Sequence, residues 1–110
     1  MIFAIDFDNT LYLGNYPGID NNFNIKLINK IIYLQHKYPE SKWILWTCRN
    51  NYDLEIAVSS LRRFNIRWDA INDNVEQIKQ QWGTNPRKIY ADYYIDDKST
   101  NIIEFINNFQ

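Results

Sequence analysis

The stretch that decides the fold is residues 2–10, which read IFAIDFDNT. Four consecutive apolar residues, from Ile2 to Ile5, end abruptly in a segment that contains Asp6 and Asp8. An apolar run without alternation is typical of a strand that is buried on both faces of a parallel sheet. We therefore predict a buried first strand whose carboxyl end carries the two aspartates.

Outward from this strand, apolar runs and helical patterns alternate along the chain. The further predicted strands are Trp43–Trp46, Ile66–Ile71 and Tyr93–Ile95. We also predict four helices. The first is capped by Asp20 or Asn22 and closed by Pro39, and the second is capped by Asn50, Asn51 or Asp53. The third runs from Val75 to Trp82, and the fourth is capped by Ser99 or Thr100, with Ile102, Ile103, Ile106 and Phe109 inward. Because strand and helix alternate four times, we predict a three-layer α/β fold, with a parallel sheet of about four strands and helices on both faces.

Length and charge narrow the class of protein. The chain has 110 residues without a linker or an internal repeat, so we predict a single domain over residues 1–110. Its 12 Lys+Arg against 13 Asp+Glu leave a net charge of -1. Proteins that bind nucleic acid through a broad basic surface gain affinity by neutralising phosphates. The balanced charge therefore predicts no strong nucleic-acid footprint, but it allows a substrate that carries one phosphate.

A single cysteine, Cys48, and a single histidine, His36, exclude several kinds of site. One cysteine cannot form an internal disulfide or a thiolate zinc cluster, and one histidine argues against a His-rich metal site or a Ser-His-Asp triad. The apolar run at residues 1–5 is too short for a signal peptide or a membrane span. We therefore expect no membrane partner and an intracellular, cytoplasmic location, which is the host cytoplasm if the chain is encoded by a phage.

Polar residues follow the ends of three predicted strands. Asp6 and Asp8 follow the first strand, Thr47 follows the second, and Asp96 and Asp97 follow the last. Because the carboxyl ends of parallel strands lie at one edge of a sheet, we expect these side chains to converge in one pocket. Four carboxylates repel one another unless a cation lies among them. Oxygen ligands without His or Cys favour a hard ion, which predicts Mg²⁺ as the cofactor.

Three short motifs stand in a consistent order along these strand ends. They are Asp6–Thr10 (DFDNT) after the first strand, Thr47 after WILW, and Asp96–Asp97 after an apolar pair. Together they resemble the haloacid dehalogenase (HAD) superfamily of phosphohydrolases. More narrowly, Trp46–Arg49 and Ala91–Lys98 are similar to a small capless branch found in bacteria and phages. The resemblance implies a HAD-like, Rossmann-type fold without a cap domain, and a Mg²⁺-dependent hydrolase of phosphoric monoesters.

The resemblance also implies a role for each motif residue. Asp6 would attack phosphorus and become an aspartyl phosphate, as carboxylate nucleophiles do. Asp8 would give a proton to the leaving oxygen and then take one from the attacking water. The metal ligands would be the Asp6 carboxylate, the Asp8 main-chain carbonyl and the last acidic pair, with Asp97 the direct ligand and Asp96 its partner. Thr47 would donate a hydrogen bond to a phosphate oxygen.

In the superfamily, the phosphate-binding lysine stands well before the acidic pair, at the start of a helix. No lysine of this sequence clearly matches that position. Lys88 lies only eight residues ahead of the pair. If residues 88–96 formed one strand of about 26 Å, this lysine would lie at the wrong edge of the sheet. Lys79 falls midway along the short third helix, whereas Lys98 directly follows the pair. We therefore predict Lys98 as the phosphate-binding lysine, with Arg49 as a second cation.

Other functions share parts of this pattern. A metal-dependent nuclease also uses acidic clusters at strand ends, with two ions, and an end-processing phosphatase would act on the same phosphate chemistry in nucleic acid. A phosphate-accepting receiver domain carries its acidic pair on the first strand, so the order here is wrong for one. A catalytically silent binding module that keeps the fold is the remaining alternative.

The substrate itself is not encoded in these motifs, and we expect a phosphorylated compound of unknown identity. The segments 11–19 and 72–87 are too short to form a cap domain. We therefore expect a site that is open to solvent, whose selectivity comes from the loop around Tyr12 and Tyr16, from a second subunit in an oligomer, or from a large substrate.

Overall fold

In the computed structural model, which describes residues 1–98 and 102–110, strands and helices alternate along the chain. The elements are β1 (Ile2–Ile5), α1 (Ile25–Lys37), β2 (Lys42–Leu45), α2 (Asn51–Leu61), β3 (Ala70–Ile71), α3 (Glu76–Trp82), β4 (Tyr93–Ile95) and α4 (Ile102–Asn108). The four strands form one parallel sheet in the order β3-β2-β1-β4. This is the α/β architecture that the alternating pattern predicts.

The strand order places a topological switch beside β1. The chain moves outward from β1 to β2 and β3, and then crosses back to add β4 on the other side of β1. Ile5 at the end of β1 is in register with Leu45 on β2 and Ile95 on β4. Open α/β sheets bind ligands where the strand order reverses, outside the carboxyl ends of the strands. The residues after β1 and β4 therefore meet at the position where this fold favours a site.

Both faces of β1 are buried, so the sheet lies between two layers of helix. Phe3 and Ile5 face a core that includes residues of α1, α2 and α4, whereas Ile2 and Ala4 face α3. The Phe3 ring stacks on Trp43 of β2 with the ring centroids 4.2 Å apart. Burying one large apolar side chain of this kind stabilises a fold by about 1.5–3 kcal/mol. The two-sided burial explains why this strand is a continuous apolar run, and it confirms helices on both faces.

The first helix begins later than its predicted caps. Its N-cap is Asn24, whose side-chain oxygen accepts a hydrogen bond from the backbone N–H of Leu27 at 3.2 Å. Asp20 instead accepts hydrogen bonds from the backbone N–H of Asn22 and the hydroxyl of Tyr12. Predicting Asp20 or Asn22 as the cap was therefore wrong, because Asp20 closes a turn in the preceding loop. The second helix is capped by one of the three predicted residues, Asn50.

The third strand is much shorter than the predicted segment 66–71. Both the N–H and the carbonyl of Arg67 are bound by the side chain of Gln35 on α1, at 3.0 and 2.8 Å. The Asp69 carboxylate accepts the N–H of Trp43 at 2.8 Å, in the place of a main-chain partner. Side chains thus satisfy the backbone groups that a longer strand would use, so regular pairing begins only at β3.

The ends of the last two helices differ slightly from the prediction. Val75 is the residue before α3 and not its first residue, and Gly83 ends this helix in the left-handed conformation with φ +70. A residue without a Cβ adopts that conformation at little steric cost. The predicted caps of α4, Ser99 and Thr100, lie outside the described residues.

The inward face of α4 also differs in one position. Ile102, Ile106 and Phe109 pack against the core as expected. Ile103 is 71% exposed, and Phe105 is buried in its place. Residues spaced by three or four lie on one helix face, so Phe105 shares the face of Ile102 and Phe109, while Ile103 points away.

The segment between β1 and α1 folds back onto the domain. Short backbone bridges join Asp8 to Tyr12 and Tyr12 to Phe23, and the Tyr12 ring is buried in the core. Within residues 1–98 and 102–110, neither this segment nor the one between β3 and β4 forms a separate cap. No helix in that part of the chain has the length and hydropathy that crossing a bilayer requires.

Candidate active site

Three carboxylates from the ends of β1 and β4 meet at the topological switch. Asp6, Asp96 and Asp97 offer oxygen atoms that all lie within 4.8 Å of one another. Asp6 follows β1 directly, and its N–H donates to the carbonyl of Ile95 on β4 at 3.0 Å. Asp6 and Asp96 are half-buried, whereas Asp97 is exposed. The sheet therefore brings together carboxylates that lie about 90 positions apart in the sequence.

The electrostatics of this cluster favour a bound cation. The pKa of Asp6 is raised from 3.8 to about 6, mainly by burial and in part by the charges of Asp96 and Asp97. Hydrogen bonds from the Phe7 N–H and the Thr10 hydroxyl oppose this rise. The donors are all oxygen atoms and their repulsion is not fully relieved within the protein, so the cluster fits a hard divalent cation such as Mg²⁺.

Asp8 lies only two residues from Asp6, but its side chain is held elsewhere. Both of its oxygens accept hydrogen bonds from the guanidinium of Arg49, from Nε at 2.8 Å and from Nη2 at 2.8 Å. The Arg49 side chain is 1% exposed and the Asp8 side chain 26%. A bidentate ion pair of this kind fixes the orientation of a carboxylate as well as offsetting its charge.

Arg49, predicted as a second cation for the phosphate, is buried and bonded to other parts of the chain. Its remaining nitrogen, Nη1, donates to the carbonyls of Pro17 at 3.0 Å and Asp53 at 3.3 Å. The guanidinium also lies between the rings of Phe7 and Tyr16, 5.0 and 4.9 Å from their centroids. The hydrogen bonds to Asp8 raise the pKa of Arg49 above its ordinary value. This buried cation joins three segments of the chain.

Thr47 follows β2 and is held by residues on both sides. Its N–H donates to the side-chain oxygen of Asn72 at 2.8 Å, and its hydroxyl oxygen accepts the N–H of Arg49 at 3.1 Å. Asn72 has a left-handed backbone, φ 51, and its own N–H donates to Leu45. Because the hydroxyl oxygen already accepts one bond, its hydrogen is left to donate. Sequence reasoning missed Asn72, although an Asn directly after a strand is a signal for such a turn.

The lysines proposed from sequence occupy distinct environments. Lys98 lies at the cluster, with its Nζ 3.6 Å from a carboxylate oxygen of Asp97 and its side chain 86% exposed. Lys79 on α3 is paired with Asp73 at 2.8 Å. This pairing lowers the pKa of Asp73 and raises that of Lys79. Of these two lysines, only Lys98 adjoins the carboxylates.

Lys88 does not lie at the opposite edge of the sheet, because residues 88–96 are not one strand. The strand covers only Tyr93–Ile95, and the residues before it turn back across the sheet face. Together they form part of a groove of about 360 Å³ that also reaches the acidic cluster, and its lining residues are Trp46, Arg87, Lys88, Ile89, Tyr94 and Asp96. The assumption of one strand over residues 88–96, which counted against Lys88, was therefore wrong.

A buried asparagine holds this groove segment in place. Asn74, 2% exposed, directs its side-chain nitrogen at three acceptors, which are Asn85 Oδ1 at 3.1 Å and the carbonyls of Pro86 at 3.0 Å and Lys88 at 3.2 Å. Its side-chain oxygen accepts the N–H of Tyr90 at 2.7 Å. No local sequence pattern indicates this role, since the bonds span 11 to 16 positions.

The fold has a counterpart among solved structures. The chain is similar to a conserved protein from Bacteroides thetaiotaomicron, with a TM-score of 0.75 and 27% sequence identity, over 96% of this chain and 88% of that one. No protein-family model matches the chain, and no curated protein matches it either. The similarity supports the three-layer fold, and the description of the Bacteroides protein states no activity.

Proposed function

We propose that this protein is a Mg²⁺-dependent phosphomonoester hydrolase of the haloacid dehalogenase type, which acts through an aspartyl phosphate. The observation that carries the proposal is the cluster of Asp6, Asp96 and Asp97 within 4.8 Å at the switch point of the sheet. An aspartate with a purely structural role does not need to lie beside two further carboxylates, where its pKa is raised to about 6. Perturbed carboxylates that face one another at a switch point are instead typical of catalytic sites.

The proposed metal ligands are the carboxylates of Asp6 and Asp97 and the main-chain carbonyl of Asp8, with Asp96 supporting Asp97. Asp96 suits that supporting role because its carboxylate already accepts the N–H of Lys98 at 2.6 Å. When bound, Mg²⁺ would offset the repulsion between the carboxylates and an incoming phosphate.

The reaction steps belong to the side chains of the chain itself. An Asp6 oxygen attacks phosphorus and forms an acyl phosphate, while the bond from phosphorus to the leaving oxygen breaks. The Asp8 carboxyl gives a proton to that oxygen; because both of its oxygens accept bonds from Arg49 before substrate binds, it takes up this proton from solvent as one of those bonds opens. In the second step it takes a proton from the water that hydrolyses the acyl phosphate. Thr47 donates its hydroxyl hydrogen to a phosphate oxygen, and Lys98 offsets the charge of the phosphate.

We assign Arg49 a positioning role in this scheme and not contact with the phosphate. Its guanidinium donates to Asp8, Pro17 and Asp53, which uses all three nitrogens. By fixing both oxygens of Asp8, it holds the proposed acid in one orientation before substrate binds. The exposed thiol of Cys48 fits a reducing compartment, and we propose that the enzyme acts in the cytoplasm.

The test is phosphate release by wild type and by Asp6→Asn, with Mg²⁺ and with EDTA. The panel contains sugar phosphates, nucleotides, phosphopeptides, 3'-phosphorylated oligonucleotides and a phosphodiester. We expect turnover of monoesters that requires Mg²⁺ and is abolished in Asp6→Asn, because an amide is a poor nucleophile. Glu40→Gln, at an exposed carboxylate outside the cluster, is the matched control and should retain activity.

Circular dichroism of both variants separates loss of chemistry from loss of fold. Substantial turnover by a folded Asp6→Asn would contradict the covalent mechanism. Cleavage of the phosphodiester in preference to monoesters would instead identify a nuclease, and absence of any Mg²⁺ binding would identify a silent module.

A further inference from the structure

The groove described above is continuous with the candidate active site. Its lining includes Asp96 of the acidic cluster and Trp46, the residue directly before Thr47. Tyr94 stands two residues before Asp96 on β4. A group that is bonded to a phosphate at the cluster can therefore extend into this groove.

The walls of the groove are aromatic and apolar. The ring centroids of Trp46 and Tyr94 are 5.3 Å apart with an angle of 57° between the planes, and both side chains are partly exposed. Ile89 completes the apolar surface. Aromatic side chains of this kind bind flat rings, and stacking against them tolerates any nucleobase because each base has a π-face.

Two cations stand on the same groove. Arg87 and Lys88 are exposed, and within residues 1–98 and 102–110 neither forms an ion pair. Arg49 and Lys79, by contrast, are each held by a carboxylate. The hydrogen bond from Asn74 to the carbonyl of Lys88 fixes the backbone that carries the two cations. Cations held in place without an acidic partner suit a phosphate group of a ligand.

We propose that this groove binds the leaving group of the substrate, and that the leaving group is a nucleoside that carries a second phosphate. The base lies against Trp46 and Tyr94, and the second phosphate contacts Arg87 and Lys88. The phosphate to be removed lies at Asp6, so this inference rests on the proposed function. Two sources share the chemistry: a free nucleoside bisphosphate and the phosphorylated end of a short single strand.

The charge of the protein agrees with so small a footprint. A net charge of -1 leaves no broad basic surface for a long duplex, whereas two cations beside one aromatic groove suffice for one nucleotide. A phosphotyrosine peptide would also offer an aromatic ring, but it has no second phosphate beside that ring for Arg87 and Lys88.

Equilibrium binding tests the groove without relying on turnover. Titration calorimetry in EDTA compares adenosine 3',5'-bisphosphate, ribose 5-phosphate, a phosphotyrosine peptide and a 3'-phosphorylated tetranucleotide. We expect wild type to bind the bisphosphate at least about tenfold more tightly than ribose 5-phosphate, which is the low end of the stacking contribution. Tighter binding of the tetranucleotide would identify a nucleic-acid end, and equal binding would identify a free nucleotide; both support the proposal.

Variants of the groove separate its two parts. Trp46→Leu keeps an apolar side chain in the core and should weaken nucleotide binding about tenfold, with ribose 5-phosphate unchanged. The double variant Arg87→Ala/Lys88→Ala should weaken binding and flatten its dependence on salt, because fewer counterions are released. Lys26→Ala/Arg62→Ala removes two exposed cations from α1 and the end of α2 and is the matched control.

Two results would overturn the groove proposal. One is equal affinity for the bisphosphate and ribose 5-phosphate, or for the phosphotyrosine peptide and the bisphosphate. The other is unchanged nucleotide binding in both groove variants. Specific nucleotide binding without phosphate release under Mg²⁺ would contradict the proposed hydrolase activity and support the proposed groove. Efficient hydrolysis with no preference for nucleotides would do the reverse.

Discussion

The two aspartates at the carboxyl end of β1, Asp6 and Asp8, lie in opposite electrostatic surroundings. Toward β4, burial and the charges of Asp96 and Asp97 raise the pKa of Asp6 to about 6. Toward the segment after β2, Asp8 has both oxygens bound by the buried guanidinium of Arg49. The protein thus neutralises one carboxylate with its own cation and leaves the repulsion of the other three for a ligand to relieve.

This contrast separates the two tasks that the proposed mechanism assigns to the DFDNT motif. A carboxylate that binds a metal and attacks phosphorus has to stay open to both partners. A carboxylate that transfers a proton has to point in one direction, so a fixed orientation helps it. The predictions below test whether the two sides are as independent as their contacts indicate.

After the loss of turnover expected for Asp6→Asn, the largest expected effect is on turnover in Asp8→Asn. We expect turnover to fall by about 10² to 10⁴-fold, the usual contribution of general acid–base catalysis. Mg²⁺ affinity should stay near wild type, because the Asp8 side chain lies outside the three-carboxylate cluster. Calorimetry with Mg²⁺ and kinetics on the same preparation check both values. Loss of metal binding together with activity would mean that the two sides act as one.

Removing the cation should affect stability as well as rate. Arg49→Met leaves Asp8 without its partner and deletes the bonds to Pro17 and Asp53. Breaking a buried ion pair costs about 3–5 kcal/mol, and since Asp8 is partly exposed we expect a loss of about 3 kcal/mol by urea unfolding. Arg49→Lys is the control, since it keeps the charge without the bidentate geometry.

The two Arg49 variants also distinguish positioning from phosphate binding. A positioning role predicts that kcat falls in Arg49→Lys while KM changes little. A rise in KM with unchanged kcat would show that Arg49 binds the substrate.

The repulsive side predicts a pH-dependent stability that Asp6→Asn removes. A carboxyl whose pKa is raised on folding, here from 3.8 to about 6, favours the folded state at low pH. Its contribution is complete below pH 3.8 and is lost as the pH rises through 6. In EDTA, the melting temperature of Asp6→Asn should therefore be higher than that of wild type at pH 8, and this difference in melting temperature should shrink toward pH 4.

Adding Mg²⁺ sharpens this test. A ligand that binds only the folded state stabilises it by RT ln(1 + [L]/Kd), so the melting temperature rises with ligand concentration. Wild type at pH 8 should gain stability from Mg²⁺, and Asp6→Asn should gain much less. If the melting temperatures of the two proteins changed in parallel with pH, repulsion among the three carboxylates would not destabilise the folded state.

Much of this comparison could be predicted from the sequence, and the reason is topological. Apolar runs located β1, β2 and β4, and in a parallel sheet the residues after them have to share an edge. Asp6, Asp96 and Asp97 converge for that reason alone. Local patterns of burial and spacing carry this kind of information, because each strand needs only its own residues to be recognised.

Contacts between distant side chains and backbone are the part that local patterns miss. Arg49 and Asp8 are 41 positions apart, so neither marks the other in the sequence. The bonds from Gln35 to Arg67 shorten β3, and those from Asn74 turn residues 85–90 across the sheet face. Each is one polar side chain that replaces a regular backbone partner, and hydrophobic periodicity does not report such substitutions.

The smallest expected effect concerns Lys98, a cation that lies next to the cluster of Asp6, Asp96 and Asp97. Its exposed pair with Asp97, 3.6 Å apart, should contribute about 0–1 kcal/mol to stability, so Lys98→Ala should unfold like wild type. If Lys98 binds the phosphate, KM for a monoester should rise about tenfold, the lower range for an exposed bond to a charged group. Mg²⁺ affinity should be equal to or above wild type, because a competing cation has been removed. Lys26→Ala, which removes an exposed lysine from α1, is the matched control, and Lys88→Ala is measured beside it. A larger rise in KM for Lys88→Ala than for Lys98→Ala would move the phosphate cation to the groove. In that case the positive charge that binds the phosphate would come from the metal ion and from residues 87–88. Lys98 would then not be the phosphate-binding lysine.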